Sequence, residues 1–162
     1  MVESPAEQLP KTVLGLIKDA LIRVLHVDDD DDFLIISKRF LERQGSFQIE
    51  TASSVNEALQ KIKQQKYDVI ISDYQMPEMT GLDFLKELRA GENDVPFILF
   101  TGECGEEITM EALNLGADRY FNKNGNLEVV YVELAHSLKK AVKSTAGPTK
   151  KQANHAEEPK SL

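Results

Sequence analysis

Five short apolar runs, each followed by a longer stretch with apolar residues at helical spacing, restrict this chain to one class of fold. The first run, Arg23 to Val27, passes directly into five carboxylates, Asp28 to Asp32, and then into Phe33, Ile36, Phe40 and Leu41 on one helical face. The order is strand, acidic turn and helix, with Gly45 placed to end the helix. Phe47 to Thr51 reads as the second strand, and Ser54-x-x-Glu57 as a capping box that opens a helix through about Gln64. In the third run Val69, Ile70 and Ile71 lead to Asp73; a β-branched run this short, bounded by turn residues, suits a strand buried on both faces. Leu82, Leu85 and Leu88 mark a third helix, after the Thr80-Gly81 stop that closes the third-strand segment, and it ends near Ala90 and Gly91. Pro96 to Phe100 is a fourth strand ending at Thr101 and Gly102, and Glu106 to Leu115 a fourth helix closed by Gly116. Arg119 to Asn122 is a short fifth strand ending at Lys123, and Leu127 to about Val142 a fifth helix with Val130, Leu134, Leu138 and Val142 on one side. Right-handed crossovers return the chain to the same edge of a sheet, so this alternation predicts a doubly wound α/β fold around a five-stranded parallel sheet.

At 162 residues with 41% hydrophobic content, the chain is long enough for one domain and its flanks. The expected units are an N-terminal extension over 1–20, the domain over 21–142, and a flexible tail over 143–162 in which Ser, Thr, Gly, Pro, Lys and Glu dominate. In the extension Val13, Leu16, Ile17 and Ala20 follow helical spacing behind Thr12, which predicts a short amphipathic helix. Lys18 and Asp19 interrupt an apolar run already too short for a membrane span or a secretory leader. A formal net charge of −8 argues against a nucleic-acid binder, which needs clustered Lys and Arg. The charge is unevenly placed, since residues 21–141 carry 22 Asp and Glu against 13 Lys and Arg while residues 142–162 carry four Lys against two Glu. Cys104 is the only cysteine, so no intramolecular disulfide can form and a cytoplasmic protein is expected.

In an open parallel sheet the carboxyl ends of the strands share one rim, and ligands bind there. That rim collects Asp28 and Asp29 after the first strand, Asp73 after the third, Thr101 after the fourth and Lys123 after the fifth. Alone, Asp73 reads as a residue that begins a solvated turn. In this company it reads otherwise. Three neighbouring carboxylates repel one another, and protonation or a bound cation relieves the repulsion. Oxygen ligands without His or Cys suit a hard ion, and a site with few protein ligands that leaves room for water and phosphate oxygens suits Mg²⁺. Lys123 adds a compact positive charge and Thr101 a hydroxyl donor, both suited to phosphoryl oxygens. A carboxylate nucleophile, a divalent cation, a lysine and a hydroxyl together describe formation of an aspartyl phosphate.

The motifs VDD at Val27 to Asp29, SDYQMPEMTG at Ser72 to Gly81, LFTG at Leu99 to Gly102, LGAD at Leu115 to Asp118 and YFNK at Tyr120 to Lys123 resemble those of the response-regulator receiver domain of two-component systems, in family order and near family spacing. The resemblance implies a flavodoxin-like receiver fold with strand order 2-1-3-4-5, as in the chemotaxis regulator. It implies that a histidine kinase or phosphotransfer protein donates a phosphoryl group to Asp73. By the same resemblance Asp29, Asp73 and the backbone carbonyl of Gln75 hold Mg²⁺, Asp28 acts largely through water, and Lys123 contacts the phosphoryl oxygens. Thr101 and Tyr120 are similar to the family's switch pair, in which the hydroxyl moves toward the phosphate and the ring follows inward. Such a domain is not an enzyme beyond assisting its own phosphorylation and dephosphorylation. Its output is a changed protein-binding face formed by the fourth helix, fifth strand and fifth helix, with a homodimer left open and no direct contact with nucleic acid or membrane.

Some positions depart from the family pattern. The family usually follows the lysine with a proline in a cis bond, whereas Lys123 here is followed by Asn124-Gly125. A cis bond to a non-proline residue costs about 3–4 kcal/mol, so a trans bond and a loop shaped by Asn-Gly turn chemistry are expected. The Lys-Asn-Gly ending is similar to receivers of archaeal signalling proteins. Gly102 is small enough to leave a phosphoryl group open to water or a partner, and Gln75 and Glu103 stand where the family tunes phosphate lifetime. Two other readings use the same residues. A degenerate receiver would bind partners without being phosphorylated, yet Asp28, Asp29, Asp73, Thr101 and Lys123 are all in place. A small phosphatase of haloacid-dehalogenase type would use Asp73 but wants a second acid where Gln75 stands. The remaining candidates take plainer readings: Asp30 to Asp32 cap the first helix and complement its dipole, and His26 is a core or edge histidine with its hydrogen bonds satisfied. His136 and His155 have no partner constellation, Met76 and Met79 pack around Pro77, and Cys104 lies among Glu103, Glu106 and Glu107, which disfavour a thiolate.

Overall fold

The computed structural model describes residues 10–13, 21–102 and 105–146, with side chains through residue 143. Most of the helix expected over Thr12 to Leu21, together with Glu103, Cys104 and His155, lies outside the described residues. Among the described residues from 22 onward, five strands and five helices alternate: β1 (Ile22–Val27), α1 (Asp31–Arg43), β2 (Phe47–Ala52), α2 (Val55–Gln64), β3 (Val69–Ser72), α3 (Gly81–Ala90), β4 (Phe97–Thr101), α4 (Glu106–Asn114), β5 (Arg119–Asn122) and α5 (Leu127–Ala146). All strands are parallel, in the order β2-β1-β3-β4-β5.

Strand side chains alternate between faces, and each face needs its own apolar cover. On one side Leu25, Val27, Ile70, Phe97 and Leu99 pack with Val55 and Ala58 of α2, Leu82, Phe84, Leu85 and Leu88 of α3, and Ala112 of α4. On the other, Val24, Val69, Ile71, Ile98 and Phe100 pack with Leu41 of α1 and with Tyr131, Leu134, Ala135 and Leu138 of α5. Every residue of β3 and β4 is buried, the consequence of lying mid-sheet under helices on both sides. Tyr131 spans the α1 side, stacked on Phe40 at 5.0 Å and hydrogen-bonded through its hydroxyl to Ser37 Oγ at 2.7 Å.

Helix ends show where local signals yield to packing. Thr80-Gly81 does not stop a segment but opens α3, because Thr80 Oγ1 accepts from Asp83 N at 3.1 Å while Asp83 Oδ2 accepts from Thr80 N at 2.9 Å. Ser54 caps α2 as expected, yet Glu57 reaches back to Ser53 N, one residue earlier than a standard capping box. Gly45 takes no left-handed conformation; α1 ends at Gln44 in right-handed geometry, and Gly45 instead makes room for Lys139, whose Cε lies 2.9 Å from where a Cβ would stand. Gly116 does close α4 with φ 98°. The last helix runs to Ala146, four residues into the expected tail, since no residue incompatible with a helix appears before Gly147-Pro148. None of the described helices is long and apolar enough to cross a membrane.

Candidate functional site

The winding across the sheet reverses between β1 and β3: the connection after β1 leads outward to β2, and the connection after β3 leads the other way to β4. The loops leaving β1 and β3 therefore diverge and leave a crevice at the carboxyl rim. Register then sets what faces what. Val27 pairs with Ser72, and Asp73 N donates to Val27 O at 2.9 Å, so the next residues outward, Asp28 and Asp73, stand side by side. Carboxylate oxygens of Asp28, Asp29 and Asp73 all lie within 4.8 Å of one another, with Asp28 and Asp73 buried and Asp29 exposed. They line a cavity of about 670 Å³ together with Asp30, Tyr74, Gln75, Met76, Pro77, Thr80 and Lys123.

Lys123 holds this group together. Its Nζ donates to Asp28 Oδ2 at 2.5 Å and lies 3.5 Å from Asp73 Oδ1. Burial pushes the Asp28 carboxyl above its ordinary value of 3.8; hydrogen bonds from Lys123 and from Asp30 N oppose that shift without cancelling it. The expectation that Lys123 addresses phosphoryl oxygens thus meets a lysine already paired to two carboxylates. Its position does not require a proline: the Lys123–Asn124 bond is trans, as expected. Lys123 N donates to Thr101 O at 2.9 Å, Asn124 N donates to Asn122 Oδ1 at 2.7 Å, and Asn124 Nδ2 donates to Gly102 O at 2.9 Å, which ties this loop to the one after β4.

The loop from Tyr74 to Thr80 is drawn tightly over Asp73. Gly81 N donates to Tyr74 O at 2.8 Å and Ser72 Oγ to Asp73 O at 2.9 Å, and a Cβ on Gly81 would overlap the Asp73 carbonyl oxygen. Glu78 turns the loop with φ 71°, and Met76 is buried beneath it, as expected of a packing residue. Among the acidic residues after β1, Asp30 accepts from Phe33 N at 3.0 Å as the cap of α1, while Asp31 and Asp32 occupy its first turn, as expected of residues that cap a helix and complement its dipole.

Thr101 is buried at the end of β4, and Tyr120 pairs with Leu99 two positions earlier, so the two side chains share the α4 side of the sheet with the ring set back from the rim. Gly102 has open space where a side chain would be. His26 corrects an expectation. It is a core residue, but neither ring nitrogen has a hydrogen-bond partner among the described residues, because its neighbours are Phe33 and Phe100. Burial, and secondarily Lys123, pulls its pKa down to about 3, so the ring is neutral. Phe33, Thr80, Gly81, Asp83 and Asn124 also shape the site. Thr80-x-x-Asp83 carries the capping signal that could have placed the third helix start, whereas Phe33 and Asn124 carry no signal of their contacts.

Residues 24–135 match the family model for the response regulator receiver domain. The chain belongs to that family. Among curated relatives, the response regulator SaeR of Staphylococcus epidermidis is 37% identical over 103 residues, covering 64% of this chain and 44% of that protein. SaeR of Staphylococcus aureus is 35% identical over 103 residues, with the same coverage of each chain. The chain therefore matches less than half the length of these curated relatives. Solved structures of similar fold include the Francisella response regulator 1452 receiver domain, with TM-score 0.69, 30% identity, and coverage of 76% of this chain and 98% of that one. A CheY-like receiver domain from Methanospirillum hungatei matches with TM-score 0.67, 30% identity and the same coverage. As a receiver domain, the chain has its phosphoacceptor role in two-component signalling supported at the level of the family, and the predicted strand order 2-1-3-4-5 is the one observed.

Proposed function

We propose that residues 21–142 form a phosphoacceptor module in which Asp73 takes a phosphoryl group from a histidine kinase or phosphotransfer protein in the cytoplasm. The observation that carries this reading is the convergence of Asp28, Asp29 and Asp73 within 4.8 Å, with the Lys123 ammonium beside Asp73. The donor set fits a hard divalent cation, since it is oxygen only and two of its three carboxylates are buried. Asp29, Asp73 and the Gln75 carbonyl would hold Mg²⁺, with Asp28 reaching it through water. A bound Mg²⁺ would neutralise charge on the transferring group and its acceptor.

This chain's own residues supply the rest. An Asp73 carboxylate oxygen forms the new O–P bond as the donor's P–N bond breaks, and the imidazole leaves with the bonding electron pair. Pairing of Lys123 with two carboxylates keeps the ammonium at the rim, where it meets the equatorial oxygens of the arriving group. The Thr101 hydroxyl then gains a charge-assisted partner that it lacks before phosphorylation, and Tyr120, on the same side of the sheet, follows it inward. The face that changes is that of α4, β5 and α5, where Met110, Leu113, Leu127, Val129 and Val132 are exposed and suited to a protein partner or a second copy of the chain. Incubation with acetyl phosphate and Mg²⁺ followed by intact-mass measurement tests the reading. One phosphoryl adduct is expected on the wild-type protein and none on Asp73→Asn; an unmodified wild type, or equal labelling of the variant, overturns it.

A further inference from the structure

We propose that Phe33 is a positioning residue for Lys123, holding the ammonium beside Asp73 once a cation engages Asp28. The inference rests on the reading of Asp73 as the phosphoacceptor and adds a residue to that site. Lys123 Nζ lies 4.3 Å from the Phe33 ring centroid, within the range of a cation–π contact. The same nitrogen takes Asp28 Oδ2 at 2.5 Å and stands 3.5 Å from Asp73 Oδ1. Three partners thus surround one ammonium, and a cation competes for two of them.

Asp28 belongs to the carboxylate cluster, so a divalent ion drawn there weakens the shortest contact that Lys123 makes. A lysine on a four-carbon stem would then drift to water, where it cannot address an oxygen arriving at Asp73. The Phe33 ring is the partner that a metal ion does not claim. Its orientation is fixed from several sides. The Phe33 amide is held by the Asp30 cap at 3.0 Å, and the ring packs on Phe100 at 5.6 Å and edge-on to His26 at 6.1 Å. His26 is fully buried and, among the described residues, neither of its ring nitrogens has a hydrogen-bond partner, so it meets the Phe33 ring by packing alone. The acidic turn therefore does two things: it contributes carboxylates to the rim, and through Asp30 it sets the ring beneath the lysine.

The test combines NMR with kinetics on the full chain. The Lys123 ε-methylene protons, assigned by their loss in Lys123→Met, are expected upfield of their ordinary position through the ring current of Phe33, both without metal and at saturating Mg²⁺. The displacement should disappear in Phe33→Leu, which keeps apolar volume, and persist in Phe33→Tyr, which keeps the aromatic face. At saturating acetyl phosphate and Mg²⁺, Phe33→Leu should slow labelling of Asp73 by about three- to tenfold, with Phe33→Tyr restoring the rate and Phe33→Leu adding nothing in the Lys123→Met background. Lysine protons that return to their ordinary position on Mg²⁺ addition, or Phe33→Leu labelled as fast as wild type, overturn the inference while leaving the phosphoacceptor reading intact. Wild-type protein that takes no phosphate would end that reading instead, and the ring-current measurement would still decide the placement of Lys123.

Discussion

Replacing Gly81 with alanine places a methyl group against the backbone of the residue on which the site depends. A Cβ there would overlap the Asp73 carbonyl oxygen and lie 3.1 Å from its carbon and 3.2 Å from Ser72 Oγ. Neither backbone can yield alone, because Gly81 N is bonded to Tyr74 O and α3 is anchored behind it by buried Leu82, Phe84, Leu85 and Leu88. Overpacking of this kind costs about 1–3 kcal/mol. The smaller conformational entropy of an unfolded alanine offsets about 0.4–1 kcal/mol of that. A net loss of roughly 1–2 kcal/mol corresponds to a fall in Tm of about 4–8 °C for a domain of this size. Gly91→Ala is the control: its Cβ would meet only backbone oxygens at 3.5 and 3.6 Å, and φ is −83°, so the substitution should leave Tm unchanged or slightly raised. Thermal melts of the three proteins, followed by acetyl phosphate labelling below the lower Tm, should show Gly81→Ala both less stable and slower to label. If Gly81→Ala melts with wild type and labels at the same rate, the tight closure of the loop over Asp73 is not what aims the carboxylate, and the reasoning fails.

Millimolar Mg²⁺ should raise Tm, because a ligand bound only by the folded state stabilises it, and the rise should vanish in Asp29→Ala; an unchanged wild-type melt counts against the cation site. His26 makes stability depend on acid. Its folded pKa of about 3 lies below the ordinary 6.5, so below pH 6.5 the unfolded chain binds a proton that the folded one refuses, and stability falls progressively as the pH drops toward 3. At pH 5 the loss is about 2 kcal/mol relative to neutral pH, and denaturant unfolding of His26→Leu should lack it; parallel pH profiles for the two proteins would refute the assignment. For the switch, Thr101→Ala should accept phosphate on Asp73 yet show smaller amide shift changes in α4 and β5 with beryllium trifluoride than wild type, and equal changes would mean that the coupling runs elsewhere.

The sequence by itself determined the order of elements and the rim on which the chemistry gathers. Strand-length β-branched runs alternating with helical spacing leave only the doubly wound parallel sheet, and that sheet places Asp28, Asp73, Thr101 and Lys123 at the carboxyl ends of β1, β3, β4 and β5 because the chain direction is the same in each. These are consequences of period and chain direction, both local properties. Tertiary structure decided what no local pattern carries. Whether Gly45 or Gly81 is needed for its φ or for its missing Cβ depends on which atoms approach from elsewhere: the Lys139 side chain in one case, the Asp73 backbone in the other. His26 lost its expected hydrogen bonds because Phe33 and Phe100, 7 and 74 positions along the chain, close around it. The partners of Lys123 were equally invisible, since 95 residues separate it from Asp28 and only the registers of β1 with β3, β3 with β4 and β4 with β5 together bring the ammonium, the carboxylates and the Phe33 ring to one point.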